Sequence, residues 1–280
     1  MALIYREKAE RVAETLQQYE KCTDSWSVSK QDKNFTILYR PSDCDGFSVS
    51  TTFKEFDEMS NHDKLYPKSE KNPPTLSRKL LILRYKGEAI IDAPPKVVFD
   101  YVDPIPLPKG KRAQWDKSMK KIEIIKELEP DLRINRACTS SAMLGLISPR
   151  DFVDLILIKE TDEYISTNAV SIVYDDCPEV KDHVRGWNWP CGMICCKYPD
   201  IEYEEFPEQK KYVRGWNYPC GIIVKKILDN PNKCRLVSLI QPDIKGMLPK
   251  SVVDSAIPGS MTEFFNNLRG ALKNDGELVS

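Results

Sequence analysis

Histidine and cysteine side chains gather in one stretch of the sequence, and their types suggest metal chemistry. Cys177 and His183 are followed by Cys191, Cys195 and Cys196. Zinc sites use paired ligands at close spacing, commonly two cysteines separated by two residues. The spacing here, one histidine, then a cysteine eight positions later and two adjacent cysteines after that, is irregular. We therefore expect these side chains to pack in a strand, and we expect no metal site.

Nucleophilic catalysis finds few candidate residues in this sequence. The chain contains only two histidines, His62 and His183, so few histidines are present to form a catalytic serine–histidine or cysteine–histidine pair. The motifs typical of hydrolase nucleophiles, P-loops and dinucleotide-binding turns are absent from the sequence. We predict that the protein is not an enzyme and that it uses no cofactor.

Charge and hydropathy exclude several classes of partner. The 41 basic and 42 acidic residues give a net charge of −1, so no excess of positive charge favours nucleic acid. No apolar run approaches the roughly 20 residues that span a bilayer, and the charged N-terminus has no signal-peptide core. Nine cysteines, an odd number, lie mostly in apolar stretches and are expected to be unpaired. We expect a cytoplasmic monomer.

The elements that must position the side chains are predicted from hydrophobic periodicity. Helices are predicted at residues 3–19, 96–102 and about 249–273, the last with an apolar stripe and a kink at Pro258. Residues 48–80 are charged and proline-rich, and they predict a long exposed insertion. Strands are predicted at residues 26–29, 35–39, 84–91, 119–127, 132–140, 151–159, 165–173 and 234–241. Strands that cluster without regular helix alternation favour an α+β fold with a mostly antiparallel sheet.

One segment of 29 residues occurs twice in tandem, at residues 172–200 and 201–229. Sixteen of the 29 positions are identical, and both copies contain the sequence VRGWN, which we place in a strand. Two copies are too few for a solenoid. We favour redundant copies, as if two alternative exons were joined: one copy fills a strand position and the other forms an added hairpin or a loose loop. The alternative is that both copies fold and add two strands.

Four segments resemble START domains, the steroidogenic-acute-regulatory-related lipid-transfer family. They are ISPRDFVD at 147–154, RAQWDKSMKKIEIIK at 112–126, VRGWNYPCG at 213–221 and the final helix with its approach at 243–273. The resemblance implies a single domain, residues 1–280, with a helix-grip fold. In that fold a curved antiparallel sheet wraps around the long C-terminal helix and leaves a tunnel for one lipid.

The function that this resemblance implies is intracellular, non-vesicular transport of one sterol-like lipid (an oxysterol, a bile acid or cholesterol), with transient membrane contact. A lipid-sensing or regulatory module is the alternative. An omega loop at residues 141–148 and the C-terminal helix are expected to form a lid. Expected lipid contacts on the loop, the wall strand and the helix are Ser141, Met143, Leu146, Trp216, Val253, Ile257, Met261, Phe264 and Phe265.

Polar groups inside the implied tunnel bear on the ligand. Cholesterol-carrying relatives have an acidic residue on one strand and an arginine on the next, and these positions fall on Ala137 and Ile156, so the charge pair is absent. Strand alternation turns Asn135, Thr139 and Asp154 inward as well. Because a buried polar group without a partner is costly, we expect these three to meet a hydroxylated ligand.

The charged residues of the PRDF motif, Arg150 and Asp151, have two interpretations. They could clamp the ligand, or they could form a structural ion pair or loop anchor where the strand begins. We favour the structural interpretation.

Overall fold

The computed structural model describes most of the chain outside two long segments. The described residues are 2–23, 25–41, 83–142, 145, 147–188, 216–218, 220–243 and 250–279. The predicted insertion at 48–80 lies outside them. The helices are α1 Ala2–Lys21, α2 Pro95–Val102, α3 Arg112–Trp115 and α4 Lys250–Asn274. The strands are β1 Ser27–Gln31, β2 Thr36–Pro41, β3 Leu83–Ile91, β4 Met119–Glu129, β5 Leu132–Thr139, β6 Arg150–Glu160, β7 Tyr164–Ser171, β8 Val184–Arg185, β9 Trp216–Asn217, β10 Gly221–Lys226, β11 Cys234–Ile240 and β12 Pro242–Asp243.

Nine strands form one continuous sheet in the order β1-β2-β3-β11-β10-β7-β6-β5-β4, and every neighbouring pair in it is antiparallel. The short β8 adds to β6 in parallel, while β9 and β12 form a separate two-stranded pair. The predicted α+β architecture with a mostly antiparallel sheet is therefore confirmed.

Helix α4 packs on one face of the sheet together with α2. Met261, Phe265, Leu268 and Leu272 are buried there among strand residues. Gly87 in β3 makes this close approach possible, since a Cβ atom at that position would lie 2.5 Å from the Phe265 ring. The apolar stripe of α4 is thus a true core face. Pro258 lies inside the helix, and its kink stays a prediction.

Helix α1 covers the opposite face of the sheet. Ala9, Val12, Ala13 and Leu16 recur at helical spacing and are fully or almost fully buried. They pack against side chains of β5, β6, β7, β10 and β11. Because strand side chains alternate between the two faces, the sheet separates an α1 layer from an α4 layer.

Each copy of the repeat supplies a different part of this structure. The first copy provides residues 172–188, including β8, and the second provides β10, which lies between β7 and β11. Asn188 and Asn217, which occupy the same position in the two copies, lie side by side in a parallel bridge. Asn217 Nδ2 donates to Asn188 Oδ1 at 3.0 Å. Among the described residues the strand positions are shared between the copies, and whether the rest of either copy forms an added hairpin or a loose loop stays a prediction.

The PRDF motif holds the first copy in place. The Asp151 carboxylate is fully buried and accepts two hydrogen bonds from Arg185 of β8, at 2.8 and 3.0 Å. Gly186 fits only without a side chain, since its Cβ would lie 2.3 Å from the Phe152 ring. Arg150 donates to the carbonyl of Ser148. These contacts support the structural interpretation of the motif.

Candidate functional site

A cavity of about 370 Å³ lies between the sheet and α4. Its wall is built by the strands at the middle of the sheet, because one face of each of these strands turns toward the helix. Cross-strand register brings the wall residues level with one another, as in the pair Asn135 and Asp154 of β5 and β6. The wall and the helix contribute Asn135, Ala137, Asp154, Ile156, Thr167, Ala169, Ile222, Ser238, Met261 and Phe264.

The structure brings five of the predicted contact residues together around this cavity. Asn135, Asp154 and Ile156 lie in the sheet wall, and Met261 and Phe264 face them from α4. Ala137 also lines the cavity. This much of the predicted site follows from alternation along β5 and β6.

The remaining predicted contacts lie elsewhere. The Thr139 hydroxyl accepts a hydrogen bond from the Arg150 backbone N–H at 3.1 Å and does not line the cavity. Ser141 is exposed on the surface. Val253, Ile257 and Phe265 belong to the core between α4 and the sheet and do not line the cavity. Met143, Leu146 and the side chain of Trp216 lie outside what the structure describes.

The cavity wall also contains residues that the sequence analysis did not predict, among them Thr167 and Ala169 on β7 and Ser238 on β11. Their alternation was visible, but which face of each strand meets the helix depends on the cross-strand register. Thr167 pairs with Ile222 across to β10, and Ser238 also pairs with Ile222 on its other side, so the three share one face.

Phe264 lines the cavity on its helix side. Its ring packs edge-on against Trp115 at 5.2 Å between centroids, and the Arg112 guanidinium lies 5.4 Å from the ring. Arg112 is itself held by Asp116 at 2.9 Å and by the Val102 carbonyl at 2.9 Å. Phe264 thus links α4 to α3 at the edge of the cavity.

A polar network surrounds the Asp154 carboxylate. Ser171 Oγ donates to it at 2.6 Å and Asn188 Nδ2 at 2.8 Å, and the Asn188 N–H donates to Ser171 Oγ at 2.8 Å. Burial raises the pKa of Asp154 to about 6, although these hydrogen bonds and the charge of Lys8 favour the ionised form. Burial also lowers the pKa of Lys8, which approaches from α1, to about 8. Burial therefore disfavours the charged form of Asp154, and its hydrogen bonds and the charge of Lys8 offset part of that cost.

The Asn135 side chain leaves one acceptor unsatisfied. Its Nδ2 donates to the Pro104 carbonyl at 2.6 Å, and since that carbonyl can only accept, the amide orientation is fixed. Its Oδ1 is buried and has no hydrogen-bond partner among the described residues. A buried carbonyl acceptor without a partner costs about 1–3 kcal/mol, so a ligand hydroxyl placed here would be stabilised.

The cysteine and histidine stretch forms no metal site in the part of the chain that the structure describes. No group of three or more His, Cys, Asp or Glu side chains able to hold a metal occurs among those residues. His183 Nδ1 lies 3.0 Å from the Lys181 carbonyl, and Cys177 is buried in the core. Cys191, Cys195 and Cys196 lie outside the described residues. Every described cysteine is free.

Comparison with known proteins identifies the fold and the family. The START domain profile matches residues 64–200 and 201–277, and it divides at the junction of the two repeat copies. The chain belongs to the START domain family. Cattle StAR-related lipid transfer protein 5 is 34% identical over 95% of this chain and 94% of its own length. Human StAR-related lipid transfer protein 4 is 27% identical over 94% of this chain and 95% of its own length.

A solved START structure agrees with the fold described above. Human StAR-related lipid transfer protein 5 superimposes with a TM-score of 0.67 at 29% identity, covering 99% of this chain and all of the other. The helix-grip fold expected from the START resemblance is thereby confirmed, and the cavity takes the position expected for a lipid tunnel between sheet and C-terminal helix. No helix in the described part of this START chain is long and apolar enough to cross a bilayer.

Proposed function

We propose that this START protein is a non-enzymatic intracellular carrier that binds one sterol-like lipid, an oxysterol, a bile acid or cholesterol, and moves it through the cytoplasm between membranes. The observation that carries the proposal is the mostly apolar cavity of about 370 Å³ between the sheet and α4. Binding pockets for small molecules typically measure about 300–1,000 Å³ and combine apolar walls with a few polar groups. The names of the relatives point to lipid transfer.

The expected affinity suits a carrier. A sterol has roughly 28 heavy atoms, and at about 0.3 kcal/mol per atom the binding free energy is limited to about 8 kcal/mol, or a micromolar dissociation constant. A lipid held this tightly is protected from water during transit and is still released at an acceptor membrane. The carrier acts as a monomer, because one chain supplies both the wall and the lid.

Loading and release require the lid to move. Separation of Phe264 from Trp115 and Arg112 during a transient membrane contact would expose the cavity without any covalent step.

Transfer of dehydroergosterol, a fluorescent sterol, between donor and acceptor liposomes tests the proposal. Ala169→Trp would fill the cavity from β7, whereas Ile90→Trp places the same side chain at a half-exposed position of β3. We expect Ala169→Trp to abolish binding and transfer with little loss of thermal stability, and Ile90→Trp to retain both.

Two outcomes would count against the carrier. Unchanged transfer by Ala169→Trp would show that the cavity does not hold the lipid. Binding of the sterol by the unmodified protein without any transfer would instead favour the second candidate, a lipid-sensing or regulatory module.

A further inference from the structure

The cavity between the sheet and α4 reaches the surface on one side. Most of its lining residues are buried or half-buried, but Lys117 and Ser118 on one rim and Ser260 and Glu263 on the other rim are exposed. We call the opening between these two rims the mouth. A ligand that leaves the cavity here enters whatever medium covers the mouth.

The first rim belongs to a basic segment, residues 104–121, which runs from the loop after α2 through α3 into the start of β4. It contains six basic residues and one acidic residue, so its net charge is +5, whereas the whole chain has a net charge of −1. Pro104, Arg112 and Met119 line the cavity, so the segment follows the rim over most of its length. We call residues 104–121 the mouth segment.

Three cations of the mouth segment have no acidic partner among the described residues. Lys109, Lys117 and Lys120 are exposed, and none of them forms an ion pair in that part of the chain. Lys121, by contrast, is paired with Glu123 at 2.7 Å. Exposed charges that are not neutralised locally attract opposite charges on an approaching surface. The mouth segment therefore offers three lysines to an anionic partner.

An apolar side chain lies beside these lysines. Leu107 is 53% exposed and is only two residues from Lys109. The turn that presents Leu107 is closed by the Gly110 N–H, which donates to the Pro106 carbonyl at 2.9 Å. The turn is tight, since a Cβ atom at Gly110 would lie 2.0 Å from the Ile105 carbonyl oxygen. Exposed apolar side chains next to unpaired lysines are typical of surfaces that bind anionic membranes.

The opposite rim of the mouth has a different charge. Ser260 of α4 is neutral and Glu263 is acidic, so this rim offers no cation to an anionic surface. Attraction to such a surface would act on the mouth segment and not on the α4 rim.

We propose that the mouth segment docks the protein on bilayers that contain anionic phospholipids, with Lys109, Lys117 and Lys120 at the charged headgroups and Leu107 inserted toward the acyl chains. The inference rests on the proposed carrier function and names the kind of membrane that the carrier contacts. A bilayer fits this surface better than an acidic protein or a nucleic acid does. The mouth then opens onto an apolar medium, and a lipid can pass from the cavity into it without crossing water.

Binding of the full chain to vesicles tests the docking surface. Co-sedimentation is measured with phosphatidylcholine alone and with about one third phosphatidylserine, and we expect binding to the second that weakens as salt screens the charges. Each lysine near an anionic surface contributes about a fivefold gain in binding, so Lys109→Gln together with Lys120→Gln should weaken binding about twentyfold.

A matched pair of lysines provides the control. Lys30 and Lys33 are also exposed, and they lie on β1 and in the turn after it, at the opposite edge of the sheet from β4. Lys30→Gln together with Lys33→Gln removes the same charge and should leave vesicle binding almost unchanged. Leu107→Ser should weaken binding several-fold without changing its salt dependence, because it removes apolar surface and no charge.

Sterol loading and transfer connect docking to function. None of the substituted residues lines the cavity, so dehydroergosterol loading from cyclodextrin should be the same in every variant and shows that each is folded. Phosphatidylserine in the acceptor vesicles should speed transfer by the unmodified protein and by the Lys30 and Lys33 variant. It should not speed transfer by the Lys109 and Lys120 variant.

The outcomes separate docking from sterol carriage. Equal binding to neutral and anionic vesicles, or an equal loss in the two lysine variants, would overturn the docking surface, while sterol loading from cyclodextrin would still support the carrier. Failure to load any sterol, with anionic vesicles still bound through Lys109 and Lys120, would overturn the carrier and not the docking surface. Binding to heparin or nucleic acid without binding to anionic vesicles would overturn the choice of a bilayer.

Discussion

Deletion of one repeat length tests how the two copies share the fold. Removing residues 189–217 joins Asn188 to Tyr218, and removing 188–216 joins Trp187 to Asn217. Because both copies read VRGWN, these deletions encode the same protein. In the structure Trp187 O accepts a hydrogen bond from the Asn217 N–H at 3.1 Å, so a peptide bond between these residues requires a shift of only about 3 Å.

The expected change in the free energy of unfolding follows from the entropy of loop closure and from the hydrogen bonds that the deletion removes. For the loose loop that the sequence predicts here, bringing together the ends of a 29-residue connection costs about 3 kcal/mol, as (3/2)RT ln n, and the deletion removes this cost. One asparagine must then replace two, which loses about two hydrogen bonds at about 1 kcal/mol each. The net expectation is a gain of about 1 kcal/mol in the free energy of unfolding, or about 2–4 °C in Tm for a chain of this size.

Chemical and thermal unfolding of the full chain and the deleted chain measure this difference, together with dehydroergosterol binding. A 28-residue deletion, 189–216, is the matched control: it leaves one extra asparagine at the junction and should lose the gain. If the 29-residue deletion lowered stability by more than about 3 kcal/mol or abolished binding, residues 189–217 would be an integral part of the fold and the reasoning would fail.

Three further predictions test the described contacts. Burial raises the pKa of Asp154 from 3.8 to about 6, so the folded protein binds this proton more tightly than the unfolded chain does. The free energy of unfolding should therefore fall by up to about 3 kcal/mol as the pH rises from about 4 to 6. Urea unfolding across this pH range should show the fall, and Asp154→Asn should remove it. Arg185→Met leaves the Asp151 carboxylate buried and unpaired and should cost about 3–5 kcal/mol, most of it recovered in the double variant with Asp151→Leu; no recovery in a double-mutant cycle would contradict the ion pair. Gly87→Ala should cost about 1–3 kcal/mol by pushing the Phe265 ring, and Phe265→Leu in the same chain should reduce that cost.

The local pattern of apolar and polar residues predicts most helices and strands of the fold. The amphipathic repeat of α1 and the strand alternation from β3 to β7 predicted these elements to within a few residues. The VRGWN phrase predicts a strand, and among the described residues of its two copies Val184 and Arg185 pair with β6, Trp216 and Asn217 pair with β12, and Asn188 forms a bridge with Asn217. The main wall strand β10 begins only at Gly221.

The alternation of side chains along β5 and β6 predicts some of the cavity residues but not all of them. Asn135 and Asp154 lie inward as expected, but Thr139, in phase with Asn135, is at the end of β5 and bonds the Arg150 backbone instead. On α4 the apolar stripe is wider than the cavity, and helical period alone does not distinguish Met261, at the cavity, from Phe265, in the core. Those distinctions depend on where the helix lies across the sheet, which is a tertiary property.

The described structure changes from the first repeat copy to the second where Asn188 contacts Asn217, and this position has a genetic consequence. Both asparagines lie in the sequence VRGWN, which the two copies share. An unequal recombination anywhere within that stretch would excise one repeat length, and every such event would yield the same shortened protein with the same inner face. The duplication is thus reversible in one step.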